Sequence, residues 1–245
     1  MLVGMASPVE IVLDFPGKNA ISTQTMAFLE ERLDAARGSP VLLTGSGDSF
    51  SAGLNLKEVA SLDGPAMEVF LTRLERVCAK LFDHPAPTVA LVNGHAIAGG
   101  CIFTICCDVR IGVVSERARI GLNEVALGLR FPPVIMRIVR ARVPPRSITE
   151  VVLGSGLHRL PDAVGLGLLD EVAPDLESAG RRARARLAEL AAFPADAYAA
   201  AKAALRRDVT RASPEELAEF REHALPIWTG DAMKSRIRAF LGAGK

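Results

Sequence analysis

Two short stretches of this chain put small residues where chemistry on a carbonyl group would need them. "SFSAGLNL" (49–56) follows the apolar run 41–45, and "NGHAIAGGC" (93–101) follows the apolar run 88–92. Each leaves a strand pattern, passes through serine, alanine and glycine, and enters a helical pattern. Glycine inside a regular element costs roughly 0.5–1 kcal/mol relative to alanine, so the pair Gly99–Gly100 beside an apolar run needs a reason. Small residues let another group approach the backbone closely. The first turn of a helix offers unpaired N–H groups and the positive end of its dipole. Such a place suits an anion, or an oxygen on which negative charge develops. Close helix–strand packing explains either loop taken alone.

Other chemistries find less support. "TGSGDS" (44–49) has the composition of a phosphate loop, but neither GxGxxG nor GxxxxGK[ST] occurs in the chain. The four cysteines, Cys78, Cys101, Cys106 and Cys107, form no CxxC, and His84 and His95 lack ligand spacing. Buried thiols in a reducing compartment, with no metal, are the expectation. The formal net charge of +1 gives no field for nucleic acid or an anionic membrane. No basic start leads into a long apolar run, and no stretch approaches the roughly 20 apolar residues of a membrane span. A cytoplasmic chain is therefore expected.

The elements that must hold these loops follow from periodicity. With 245 residues and 49% hydrophobic content, the chain can build one large α/β domain or a main domain with an appendage. "VEIVLDF" (9–15) alternates as a half-buried strand, and "PGKNA" breaks it. Ser22 is placed to cap a helix carrying Met26, Leu29, Leu33 and Ala36 on one face, with Gly38 ending it. Strands follow at 41–45, 88–92 and 108–114, with helical patterns at 66–82, 133–143 and 146–153. Beyond residue 175 the chain is rich in alanine and arginine. Helices near 177–192, 194–207, 214–225 and 231–241 are expected there, without strands. The reading is an α/β core over 1–175 and a helical region over 176–245. No internal repeat is visible in the sequence.

"FSAGLNLKEV" (50–59) and "PTVALVNGHAIAGGCIFTICCDVRI" (87–111), in this order, resemble the two signature segments of the crotonase, or enoyl-CoA hydratase/isomerase, superfamily. The resemblance extends from "VLDFPGKNAIS" (12–22) through "GLGLLDEVAP" (165–174) to the last helix. It implies an α/β superhelix of ββα turns, with a helical C-terminal region serving oligomerisation and pocket closure. It also implies assembly as a homotrimer or a dimer of trimers, and an acyl-CoA thioester as substrate. Two backbone N–H groups would hold the thioester oxygen as it becomes an enolate; by position they belong to Leu54 and Gly99.

The resemblance also separates the possible reactions. Hydratases of this superfamily use two glutamates, the first three residues after the oxyanion-hole glycine. Ile102 stands there, and it has no proton to give or take. The second glutamate corresponds to Glu124 in "IGLNEVALGL" (120–129), whose apolar neighbours Ile120, Leu122, Val125, Leu127 and Leu129 should raise its pKa by desolvation. A single carboxylate suits a 1,3-proton shift, and the motifs look most like the Δ3,Δ2-enoyl-CoA isomerase branch. That chemistry implies neither metal nor redox cofactor, coenzyme A being part of the substrate. Lys18, Ala20, Ser51 and Ala52 match positions along the coenzyme A path. Ile102, Phe131 and Val134 are candidate walls of the acyl pocket. Phe240 matches an aromatic that in relatives reaches a neighbouring subunit's ligand. Asn55 stands where the family usually has aspartate, either shaping the loop by hydrogen bonds or removing a charge the reaction needs. The alternatives are another crotonase-type enzyme, a decarboxylase or weak hydratase, or a non-catalytic acyl-CoA-binding subunit.

Overall fold

The structure, a computed structural model, describes residues 7–243, with side chains described for all of these except 238 and 240–243. Nine strands form two sheets: β1 (Val9–Leu13), β2 (Val41–Gly45), β3 (Ser49–Ser51), β4 (Thr88–Val92), β5 (His95–Ile97), β6 (Val109–Val113), β7 (Arg119–Gly121), β8 (His158–Arg159) and β9 (Glu171–Ala173). The larger sheet is parallel throughout, in the order β1-β2-β4-β6-β9, and the smaller runs β3-β5-β7-β8 with only β8 antiparallel. Strand pairs β2/β3, β4/β5 and β6/β7 each give one strand to each sheet. Helices Gly64–Phe82, Gly99–Cys106 and Pro133–Arg142 follow them in turn. This is the superhelix of ββα turns with helices at the C-terminal end.

The repeat is one of backbone pairing rather than residue type, which is why the sequence hides it. The strands β1, β2, β4 and β6 fall within two residues of their expected bounds. Strands β3 and β5 replace what reads as small-residue loops, and β7, β8 and β9 have no counterpart in the sequence reading. Strands of two or three residues are too short to display the alternation that identifies a strand.

Local chemistry explains the turns that position the site. Ser22 accepts the Thr25 N–H and caps helix Thr23–Ala35, as expected. "PGKNA" forms a left-handed turn, with Gly17, Lys18 and Asn19 at φ 73°, 61° and 57°. Asn19 tolerates that conformation and uses it. Its buried side chain accepts the Phe15 N–H at 3.0 Å and donates to Ser46 O at 2.9 Å and Ser49 O at 2.8 Å. One amide thereby ties the end of β1 to the β2–β3 connection.

The long apolar strands are covered on both faces. Helix Leu176–Ala191 lays Ala179, Ala183 and Leu187 against Leu42, Val89, Leu91, Ile111 and Val113. The opposite face joins the main core, which includes Phe50, Phe82, Phe103 and also Phe220, Trp228 and Met233 from the C-terminal helices. All four cysteines are buried free thiols. Among the described residues no helix is long and apolar enough to cross a membrane.

Helix Gly99–Cys106 ends in a buried ionic cluster. Asp108 accepts from Lys202 Nζ at 2.7 Å, Arg206 Nη2 at 2.6 Å, the Tyr198 hydroxyl at 2.9 Å and the Thr88 N–H at 2.8 Å. Burial alone would raise the Asp108 pKa, but Lys202 and Arg206 outweigh it and hold the carboxyl below its usual range. The Arg142 guanidinium donates to the carbonyls of Ile105, Cys107 and Asp108 at 2.8–3.1 Å, a cation at the negative end of the helix. Asp108→Asn strands two buried cations without a counter-charge. It is expected to lower unfolding stability by about 3–5 kcal/mol, read as a shift of the urea midpoint; an unchanged midpoint would show the cluster contributes nothing.

Candidate active site

Three groups converge at the carboxyl ends of three neighbouring strands. Leu54 lies three residues past β3, Gly99 two past β5, and Glu124 three past β7. Strands β3, β5 and β7 are adjacent and parallel, with Ser51 beside Ala96 and Ile97 beside Gly121. Parallel strands deliver their following loops to one side, where α/β proteins bind ligands. All three residues line one cleft of about 330 Å³.

Two of the three offer backbone donors. Ile21 donates to Gly53 O at 2.7 Å and accepts the Asn55 N–H at 2.8 Å. That parallel pairing turns the groups of Leu54, between them, the other way. Gly99 opens an eight-residue helix, where the N–H has no intrahelical partner. Neither N–H meets a hydrogen-bond acceptor among the described residues.

The two glycines have different reasons to be glycine. A Cβ on Gly100 would lie 2.4 Å from Ser51 O and 2.9 Å from Ser51 Cβ, so helix and β3 touch only because that side chain is missing. A Cβ on Gly99 would meet the Ile21 Cδ1 at 2.8 Å, the far end of a flexible side chain. Immediately before them, Ala98 sits at φ 49°, ψ −117°. This is the region of the first central residue of a type II′ turn, usually glycine. Strain of this kind costs of order 1–3 kcal/mol and gathers at functional sites. Ala98→Gly removes the strained Cβ while freeing the unfolded chain by up to about 1 kcal/mol. The net expectation is a protein stabilised by about 1 kcal/mol, measured by thermal melting; a lower melting temperature would contradict it.

Glu124 is the cleft's only carboxylate among the described lining residues. It is 8% exposed, and burial pushes its pKa up to about 7, against a single opposing backbone hydrogen bond. Its Oε2 is buried without a partner, as is Oδ1 of neighbouring Asn123. An unpaired buried carboxyl oxygen is costly, and at a site it is ready for a ligand proton. The loop is fixed around it. Leu129 N–H donates to the Glu124 carbonyl at 2.9 Å, Gly128 takes φ 69°, and Ala126 N–H donates to Ser155 Oγ at 2.9 Å.

Lys18, Ala52, Ile102 and Phe131 share the cleft with Glu124, Leu54 and Gly99. Lys18 stands at its exposed edge, paired with Asp48 at 3.0 Å. Four candidates, Ser51, Ala20, Asn55 and Val134, lie elsewhere. Ser51 is fully buried, its hydroxyl donating to Asn19 O at 2.8 Å and accepting the Gly53 N–H. Ala20 and Asn55 face a separate shallow groove with Phe15, Thr23 and Glu58. Asn55 Oδ1 accepts the Glu58 N–H at 3.3 Å and caps helix Leu56–Ser61, a task an amide performs without charge. Val134 gives its N–H to Glu75 at 2.7 Å and does not line the cleft. The Phe240 side chain falls outside the described residues. His95 accepts the Arg119 N–H at 3.2 Å, a structural tie between β5 and β7.

Sequence reasoning missed Asn123 and the inner wall, Val59, Leu74, Ile135, Trp228 and Met233. Asn123 adjoins Glu124 and carried that signal. Nothing local marks Trp228 or Met233, which arrive from helices over one hundred residues further on.

A family model described as enoyl-CoA hydratase/isomerase matches residues 5–241. A Thermus thermophilus protein with an enoyl-CoA hydratase name is 34% identical over 164 residues, 64% of this chain and 64% of that relative. "Enoyl-CoA delta isomerase 2, peroxisomal" of Arabidopsis thaliana is 32% identical over 190 residues, 73% of this chain and 79% of the relative. The crystal structure of human mitochondrial delta3-delta2-enoyl-CoA isomerase superposes with a TM-score of 0.85, covering 96% of this chain and 93% of that one at 23% identity, a likeness of fold.

Proposed function

The chain belongs to the enoyl-CoA hydratase/isomerase family, and from that premise we propose that it is an isomerase converting 3-enoyl-CoA to 2-enoyl-CoA by a 1,3-proton shift. The observation that carries the reading is a single buried carboxyl, Glu124, with its Oε2 unpartnered, in one cleft with two free backbone N–H groups and an apolar Ile102. The thioester oxygen accepts from Leu54 and Gly99. The ionised Glu124 takes a proton from C2, and charge spreads over oxygen and C4. Each amide contributes roughly 3–4 kcal/mol to holding that charge, by analogy with oxyanion-hole deletions. The same carboxyl returns the proton to C4, and the double bond lies between C2 and C3. Substrate and product are isomers, so no redox cofactor takes part, and the proton carrier is a side chain rather than a metal-bound water.

A carboxyl with a pKa of about 7 is matched to this task, since it can both accept and return a proton near neutral pH. Asn55 fits the same reading, because its visible task is a helix cap. Lys18 at the exposed edge, with Ala52 behind it, would lie along the coenzyme A tail. Assembly as a homotrimer or dimer of trimers in the cytoplasm belongs to the same proposal; light scattering of the purified protein checks the former.

The test is direct. Incubating the protein with 3-hexenoyl-CoA should produce the conjugated thioester, followed by its ultraviolet absorbance. Exchange of C2 hydrogen with deuterated water without migration of the double bond would instead point to another enolate-forming reaction on this scaffold.

A further inference from the structure

The lining of the cleft ranges from exposed to fully buried. Lys18, with its side chain 56% exposed, marks the exposed part. Val59, Leu74, Ile135, Trp228 and Met233, none more than 3% exposed, mark the interior. Among these Trp228 has the largest side chain, and its indole N–H donates to the Arg130 carbonyl at 3.1 Å. A buried tryptophan tied by its only donor cannot turn its ring without abandoning that bond. The other interior residues are aliphatic or thioether side chains with no such tether.

The backbone delivering Trp228 is unusual. Helix Pro214–Glu219 runs into a π-helical turn, Phe220–Ala224, in which the Leu225 N–H reaches back to Phe220 O. Pro226 follows, at the start of helix Leu225–Thr229. Proline has no N–H and its ring crowds the carbonyl four residues back, so an ordinary α-helix would be broken here. The wider turn absorbs the conflict. Phe220, Ala224 and Trp228, four residues apart, are all buried on one face. Trp228 is thus placed by the backbone and locked by its N–H against the loop that carries Glu124. Arg236 on the next helix donates to Leu127 O at 3.2 Å and fastens the same loop.

We propose that Trp228 is the end wall of the acyl pocket and sets the longest acyl chain the site accepts, confining it to short- and medium-chain thioesters. The inference rests on the acyl-CoA reading above and adds the residue that fixes length. A growing chain meets a flat ring that cannot swing aside. Each methylene beyond the wall must find space in a close-packed interior.

The experiment compares the native protein with Trp228→Ala and Trp228→Phe across hexanoyl-, octanoyl-, dodecanoyl- and hexadecanoyl-CoA binding, and across turnover of the matching 3-enoyl thioesters. Native affinity should rise with chain length and then fall sharply. Trp228→Ala should move that fall to longer chains, with a gain of about tenfold for dodecanoyl-CoA, the value of roughly two further methylenes housed. Hexanoyl-CoA affinity should hold or weaken. Trp228→Phe, which keeps a ring but loses the tether to Arg130, should blur the cut-off without moving it as far. Equal chain-length profiles in all three proteins would overturn the proposal. Should Trp228→Ala fail to fold, Trp228→Phe decides the question, with Met233→Ala as the control expected to keep the native cut-off: a sharp cut-off kept unchanged in Trp228→Phe, or moved as far in Met233→Ala, rejects it. Saturated chains bound with the expected shift but no turnover by the native protein would reject the isomerase reading and leave the length wall standing. Acyl-CoA bound by none of the proteins would overturn both.

Discussion

Glu124→Gln is expected to give a folded protein whose conversion of 3-hexenoyl-CoA falls by roughly 10³–10⁴-fold, near the upper end of what a positioned acid–base group contributes. Glutamine keeps the shape and neutrality of the protonated acid, but it can neither take the C2 proton nor carry it to C4. The native protein should show kcat/KM rising with pH through about 7, as the buried carboxyl ionises. Stability should move the opposite way. The folded pKa lies above the ordinary value of 4.5, so the neutral form is the one the fold favours. Its contribution is complete below pH 4.5 and is lost as pH rises through about 7. At pH 8 the ionised side chain costs about 3 kcal/mol relative to a neutral isostere. Urea unfolding at pH 8 should therefore find Glu124→Gln more stable than the native protein, with the difference shrinking at pH 5. A variant that keeps full activity, or one that is less stable at pH 8, would remove Glu124 from the centre of the mechanism.

The second large effect falls on Gly100. Gly100→Ala places a Cβ 2.4 Å from the Ser51 carbonyl, a backbone atom that cannot step aside unless β3 or the helix moves. Helix Gly99–Cys106 must shift away from β3, carrying the Gly99 N–H with it, while Leu54 stays with Ile21. Misplacing one donor by about an ångström costs on the order of 10²-fold in rate, and stability should fall by about 1–3 kcal/mol as the packing is forced open. Gly99→Ala should be milder, because only the Ile21 methyl must give way and the N–H itself survives. Steady-state kinetics and thermal melting of the two variants separate them. Gly99→Ala proving the more damaging would mean that the glycine pair is set by substrate approach rather than by helix–strand contact.

These contrasts mark what could be read from the chain in one dimension. The strands with room for a pattern, such as Val9–Leu13 and Thr88–Val92, declare themselves by their apolar positions, and Ser22 declares its helix by capping chemistry. The small sheet has no such voice. Its strands β3, β5 and β7 span three residues each, too few to show an alternation, and the serines, alanines and glycines in and around β3 and β5 make those two look like loops. The surroundings of Glu124 were legible in part: Ile120, Leu122 and Leu129 are buried beside it, but Val125 is 43% exposed because the turn points it outward. The glycine pair reads as one device in sequence. In three dimensions it is two, Gly100 serving contact with β3 and Gly99 standing where a donor is free. The buried lining that the last helices supply was not legible at all. Trp228 and Met233 become neighbours of Glu124 only through the path of the last helices, and no local spacing records that.

The small sheet, made of barely three residues per strand, works as a ruler. Hydrogen bonding sets neighbouring strands about 4.8 Å apart, so the loops carrying Leu54, Gly99 and Glu124 leave from evenly ruled marks on one edge. Donors come from the first two marks as main-chain atoms, which no substitution other than proline deletes. The third mark brings the cleft's carboxylate, Glu124. On the proposed reading, a change at Ile102 or Glu124 alters the side-chain chemistry while the main-chain geometry of Leu54 and Gly99 stays as it is.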